Sequence, residues 1–134
     1  MVQFFAVARQ RDARFFFQVL TQSDSLPMRT ALEGAGVATE AYDIRTVPPG
    51  QVARMLAAAD AGLSFRVVGN GACGISPTKV AEYLAAGLPV VSTAGIGDCD
   101  EILRRPKLGV LIRRLDEAEY RRSEERRVGK ECRL

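Results

Sequence analysis

Histidine is absent from the 134 residues. Catalysis by a Ser/His or Cys/His pair needs an imidazole to accept the nucleophile's proton, so that class is excluded. Cysteine is scarce: Cys73, Cys99 and Cys132 are an odd set with no C-x-x-C spacing. Such a set reads as small apolar thiols, with neither a disulfide framework nor a zinc site. No apolar run approaches the ~18 residues a membrane helix needs, and no basic region followed by an apolar core opens the chain, which therefore reads as cytoplasmic. An NAD-binding half would carry G-x-G-x-x-G after its first strand, where this chain has Thr21-Gln22-Ser23-Asp24. A receiver module would need an early acidic pair and a strand-end Asp, and Phe15 to Leu20 supplies neither.

An excess of one charge is also missing from most of the chain. Met1 to Leu103 holds eight Lys and Arg against ten Asp and Glu, a balance of −2, and Arg104 to Leu134 holds eleven against six, a balance of +5. Basicity thus belongs to the C-terminal end, far from the aromatics, which is not the footprint of a nucleic-acid binder. What remains, 47% hydrophobic and 26% charged, is the composition of an ordinary globular domain.

Strand and helix patterns alternate along the sequence. Val2 to Ala8 suits a helix, with Arg9 to Arg14 as a charged connector, and Phe15 to Leu20 is a nearly continuous apolar run that predicts a buried strand. Met28, Leu32 and Ala35 share one helical face, and Gly34 and Gly36 stop that helix. A weaker strand falls within Val37 to Ile44. Val52, Met55, Leu56 and Ala59 give an amphipathic helix ending near Asp60, and Leu63 to Val68 is a third strand. After the central stretch, Asp98 is placed to cap a helix through Leu103, and Leu108 to Ile112 is a last strand. The expected fold is α/β, a doubly wound, mostly parallel sheet with helices on both faces and ligands at the carboxyl ends of its strands.

Ser76 to Val91, SPTKVAEYLAAGLPVV, is the stretch with the clearest punctuation. Ser76 is an N-cap type, Pro77 suits the first helical position, and Gly87 is placed to end the helix in a left-handed conformation. Val80, Tyr83 and Leu84 make the core stripe, the alanines at 81, 85 and 86 permit close approach to a sheet, and Leu88 to Val91 reads as a strand buried on both faces. Thr78 and Lys79 lie in the first turn, where unpaired N–H groups and the helix dipole attract an anion. Glu82 is the one side chain that packing does not require. A phosphate at the helix mouth and a hydroxyl-bearing group one turn deeper, near Glu82, fit this pattern.

The stretch resembles the nucleotide-sugar-binding half of retaining glycosyltransferases built from two Rossmann-like domains, the GT-B architecture, in its group 1, family 4-like form. Ser76, Pro77, Thr78, Lys79, Glu82, Tyr83, Leu84 and Ala85 match its SPTK-x-x-EYLA branch letter for letter, and the similarity runs from Val2 to about Tyr120. The resemblance implies a donor-binding domain over residues 1–120. In it the backbone amides of Thr78 and Lys79 and the Lys79 side chain hold the donor diphosphate, Glu82 binds the ribose hydroxyls, main-chain atoms at Val47 meet the base, and Ser76 belongs to the same nucleotide-sugar site. It implies transfer of a sugar from a nucleotide-diphosphate sugar to an acceptor hydroxyl, with no metal and no cofactor, and it assigns no catalytic residue here. Gly95, Gly97 and Asp98 correspond to a loop near the donor, and an ordinary strand-to-helix turn explains them equally well.

Two departures qualify what is implied. Many relatives carry a second glutamate eight positions before the ribose-binding one, where this chain, like the SPTK branch, does not; the residue here is Gly74. The family's acceptor domain and a basic pair for the diphosphate precede the part represented here. The expectation is therefore a C-terminal half that turns over nothing alone, with its acceptor, at a membrane surface included, met through the other domain. Residues 121–134 are charged, aperiodic and without a family counterpart, and read as a non-native tail. The alternative reading is a non-catalytic nucleotide-binding or flavodoxin- or receiver-like module.

Overall fold

A computed structural model of the chain describes residues 1–67, 77–116 and 118–121. The chain is α/β and divides into two compact units, Met1–Met55 and Leu56–Leu134. Each unit has its own parallel sheet, so the five strands among the described residues fall in two small sheets, of two and three strands.

In the first unit, α1 (Val2–Arg11) leads to β1 (Phe17–Leu20), α2 (Leu26–Gly34), a 3-10 turn at Thr39–Ala41 and β2 (Tyr42–Arg45). α1 extends to Arg11, partway into the segment expected to be its connector, and buries Phe4, Phe5, Val7 and Ala8. β1 and β2 pair in parallel with Phe17 opposite Tyr42, and the Phe5 and Phe17 rings stack at 4.9 Å. β1 is not the fully buried strand its apolar run predicts: only Phe17 is buried and Phe16 is 58% exposed. The physical reason is the number of partners, since β1 is bonded only to β2 in its sheet.

α2 ends in a Schellman motif. Gly36, at φ +71, donates to the Glu33 carbonyl at 2.9 Å, and Val37 donates to the Leu32 carbonyl at 3.0 Å, which satisfies carbonyls the helix leaves open. Past the strands the ladder continues: Thr21 N–H donates to the Arg45 carbonyl at 3.0 Å and Gln22 Nε2 to the Val47 carbonyl at 2.7 Å. Helix α3 (Pro49–Leu56) follows and stops short of Asp60; none of its residues is fully buried.

The second unit runs β3 (Gly62–Ser64), α4 (Thr78–Ala85), β4 (Val90–Thr93), α5 (Cys99–Leu103) and β5 (Gly109–Ile112). The sheet order is β3-β4-β5, all parallel, so the α4 and α5 crossovers start at the carboxyl edge of the sheet and return to its amino edge. Central strand β4 is buried along its whole length, as expected of the apolar run, although it starts at Val90, two residues later than the sequence predicts. Val80, Val90, Cys99 and Leu103 form the core, with Tyr83, Leu84, Ile102, Leu108 and Leu111 packed against it.

Two glycines in the strands let the helices sit close. A Cβ on Gly62 would run into the Tyr83 ring, and one on Gly109 would run into the Val90 carbonyl oxygen. Close approach is therefore made at strand glycines and not by the α4 alanines, of which Ala81 and Ala85 are exposed. On the opposite face the Phe65 ring stacks with Tyr120, centroids 6.4 Å apart, where a helical turn at residues 118–121 follows Asp116.

Candidate functional site

Helix α4 forms where the sequence places it, shifted by one residue at its start. Pro77 is the N-cap, at φ −72 and ψ 106, and Thr78 is the first helical residue. Extended backbone is what proline's fixed φ allows there without a side-chain cap. Ser76, expected to be the cap and a ligand residue, lies outside the described residues, as do Cys73 and Cys132, the loop from Gly69 to Gly74, and residues 122–134 of the tail. At the far end Gly87 has φ +77. It donates to the Leu84 carbonyl at 3.0 Å while Leu88 donates to the Tyr83 carbonyl at 2.9 Å, the same Schellman closure as α2.

With Val80 buried and Tyr83 and Leu84 half-buried against the sheet, the 3.6-residue period leaves Thr78, Lys79 and Glu82 together on the outer flank of the helix. All three are exposed. No hydrogen bond or ion pair joins Lys79 or Glu82 to another described side chain. Burial, and secondarily the Glu82 carboxylate, push the Tyr83 phenol above its ordinary range, so it remains a neutral hydroxyl beside the acid.

The mouths of the other strand-following helices vary: α3, after β2, has no acid in its first turn either, whereas α2 and α5 have acids at theirs. At α2, Leu26 N–H donates to Asp24 Oδ1 at 3.0 Å. At α5 the first turn carries Asp100 and Glu101, and Asp100 Oδ1 accepts from Gly95 N–H at 2.8 Å. Each of those helices has a carboxylate of its own chain at its positive end. α4 has none in its first turn, and the sequence holds no acid between Asp60 and Glu82. A lysine stands there instead.

The α5 loop is fixed in a way the sequence reading does not anticipate. Asp98 occupies the N-cap position without a side-chain cap bond, and the bracing carboxylate is Asp100. Gly97 at φ +49 and Asp98 at φ −84, ψ −2 form a turn closed by Cys99 N–H to the Ile96 carbonyl at 3.1 Å. Burial, then the charges of Asp98 and Asp100, push the Cys99 thiol above its ordinary range. The thiol stays protonated, in keeping with a packing role. Val47 belongs to the first unit; its side chain is buried and its carbonyl accepts from Gln22. Among the described residues no three Cys, Asp or Glu side chains converge to hold a metal ion, and no helix is long and apolar enough to cross a membrane.

No protein-family model, curated protein or solved structure matches this chain. The motif and the geometry of α4 are accordingly what a functional reading has to rest on.

Proposed function

We propose that the chain is the donor-binding part of a glycosyltransferase, one that passes a sugar from a nucleotide-diphosphate sugar to an acceptor hydroxyl. The observation that carries the reading is the outer flank of α4. An eight-residue helix begins at the carboxyl edge of a parallel sheet with a lysine and no acid in its first turn. An exposed carboxylate stands one turn on.

In this reading the amides and Lys79 hold the diphosphate, and Glu82 accepts hydrogen bonds from two vicinal ribose hydroxyls, the strong, charge-assisted kind. As the sugar leaves, charge develops on the departing diphosphate, and the same amides and Lys79 stabilise it without reorganising. Tyr83, neutral beside Glu82, lines the inner side of that flank. The cytoplasmic location belongs to the same proposal.

The test is a titration of the chain with uridine, guanosine, adenosine and cytidine diphosphates, repeated with Glu82→Ala and Lys79→Ala. At least one nucleotide is expected to bind, and each substitution to weaken it about tenfold, the loss of one charged hydrogen-bonding group. Binding that neither substitution changes would remove α4 from the site.

A further inference from the structure

The parallel register of the second unit assembles a pair of cations that no local pattern marks. β4 and β5 pair with Thr93 opposite Ile112, and the ladder goes one residue further, Ala94 N–H donating to the Ile112 carbonyl at 2.8 Å. The next residues, Ala94 and Arg113, are therefore neighbours. On the other side β3 pairs with β4 up to Ser64 opposite Ser92. Beyond that point the buried Thr93 hydroxyl takes over, Oγ1 accepting from Arg66 N–H at 3.1 Å. Arg66, Ala94 and Arg113 thus lie in one row just past the carboxyl ends of the three strands.

Alternation puts this row on one face. Gly62 lies under the Tyr83 ring of α4 and Gly109 under Leu103 of α5, while Phe65 turns to the opposite face and meets Tyr120. Residues two apart along a strand share a face; β3 ends at Ser64 and β5 at Ile112, and the alternation carried one step past them assigns Arg66 and Arg113 to the side of α4 and α5, at the end where both helices begin. The middle member is an alanine, so no long side chain of β4 stands between the two arginines. Two strand spacings separate their backbones, about 10 Å, and each arginine arm spans about half of that, so the guanidinium groups can meet on one group between them.

Both arginines are exposed, and neither guanidinium has a partner among the described residues. Several acids of this edge are engaged elsewhere, while the side chains of Glu82 and Glu101 are exposed with no partner among the described residues. Asp100 takes Gly95 N–H and Arg104, Asp116 takes Arg114, and Asp98 has an interaction of its own. We infer that Arg66 and Arg113 form a clamp for a diphosphate, each fork donating to a different phosphoryl group from either side of Ala94. The identity of that anion as part of a nucleotide-sugar donor rests on the proposed function; the clamp itself rests on the register.

Inorganic pyrophosphate is the direct probe. It is titrated at low ionic strength into the full chain and into Arg66→Gln, Arg113→Gln, the double variant and Arg105→Gln, which alters a cation in the turn before β5, at the other end of the sheet. Thermal melts establish that each variant folds. Each clamp substitution is expected to weaken pyrophosphate about tenfold and the pair about a hundredfold, with Arg105→Gln unchanged. Wild-type affinity in the clamp variants, an equal loss in Arg105→Gln, or no binding by the wild-type chain overturns the clamp.

A parallel titration with nucleoside diphosphates separates this inference from the reading beneath it. Nucleotide binding that depends on Glu82 and not on the arginines defeats the clamp and leaves the donor reading standing. Pyrophosphate binding that depends on the arginines, with no gain from the nucleoside and no effect of Glu82→Ala, supports the clamp and defeats the donor reading.

Discussion

Helix α2 in the first unit and helix α4 in the second each follow a parallel strand, carry a proline at or beside the start and finish in the same left-handed glycine turn. At α2 the chain closes its own helix mouth with Asp24. At α4 it does not, and the residues there are Thr78 and Lys79, with Glu82 beyond. Two helices with one closing device and opposite openings separate what the fold needs from what it does not. The glycine turns are structural and recur, whereas the exposed lysine and glutamate on α4 have no packing role, and ligand binding is what the proposed function asks of them.

Substitutions put that contrast to the test. The largest effect is expected at Gly109, where a Cβ meets the Val90 carbonyl, backbone that cannot swing aside. Gly109→Ala should lower stability of the second unit by about 3 kcal/mol, read by chemical denaturation, and Gly62→Ala by a comparable amount, because the Tyr83 atoms it meets include Cγ, which ring rotation does not move. Next come the shared turns. Gly36 and Gly87 both have positive φ and open space where a Cβ would stand, so alanine should cost only backbone strain, about 1 to 2 kcal/mol at either. Equal losses confirm that the two closures are the same device, and a much larger loss at Gly87 would mean that α4 is held by something else.

Asp24→Ala should then cost about 1 kcal/mol through the lost bond at the α2 mouth. Lys79→Ala should leave stability within about 0.5 kcal/mol while affecting ligand binding, the signature of a surface residue with no packing role. The smallest effect has the opposite sign. The Tyr42 hydroxyl is buried without a hydrogen-bond partner among the described residues, so Tyr42→Phe should leave stability unchanged or raise it by about 1 kcal/mol. A loss would show that the hydroxyl is satisfied in solution.

What can be read from the sequence follows the same division. Gly36 and Gly87 are legible because a left-handed residue after a helix is a local requirement that few residues other than glycine meet. The α/β class and the parallel pairing are legible from the alternation of short apolar runs with helical stripes. β1 reads as fully buried, and is not, because an apolar run reports hydrophobicity and not how many strands will flank it. The close approaches at Gly62 and Gly109 are invisible because each depends on a residue far along the chain, Tyr83 in one case and Val90 in the other.

In the site, the polar flank of α4 is legible because a helix repeats on a short period. Three features are not: the Asp100 brace on Gly95, the Thr93 hydroxyl under Arg66, and the pairing of Arg66 with Arg113. The last two exist only once the register of three strands is set, and the Gly95 N–H is taken by Asp100 and not by the N-cap residue Asp98.

The central claim is that Glu82 accepts from the ribose hydroxyls of a nucleotide lying along α4. The most direct measurement compares the affinity of the best-binding nucleoside diphosphate with that of its 2′,3′-dideoxy analogue, in the wild-type chain and in Glu82→Ala. The account predicts a loss of about tenfold or more for the dideoxy ligand in the wild-type chain and almost none in the variant, because the hydroxyls and the carboxylate act as one unit. Equal discrimination by both proteins, or none by either, would contradict it.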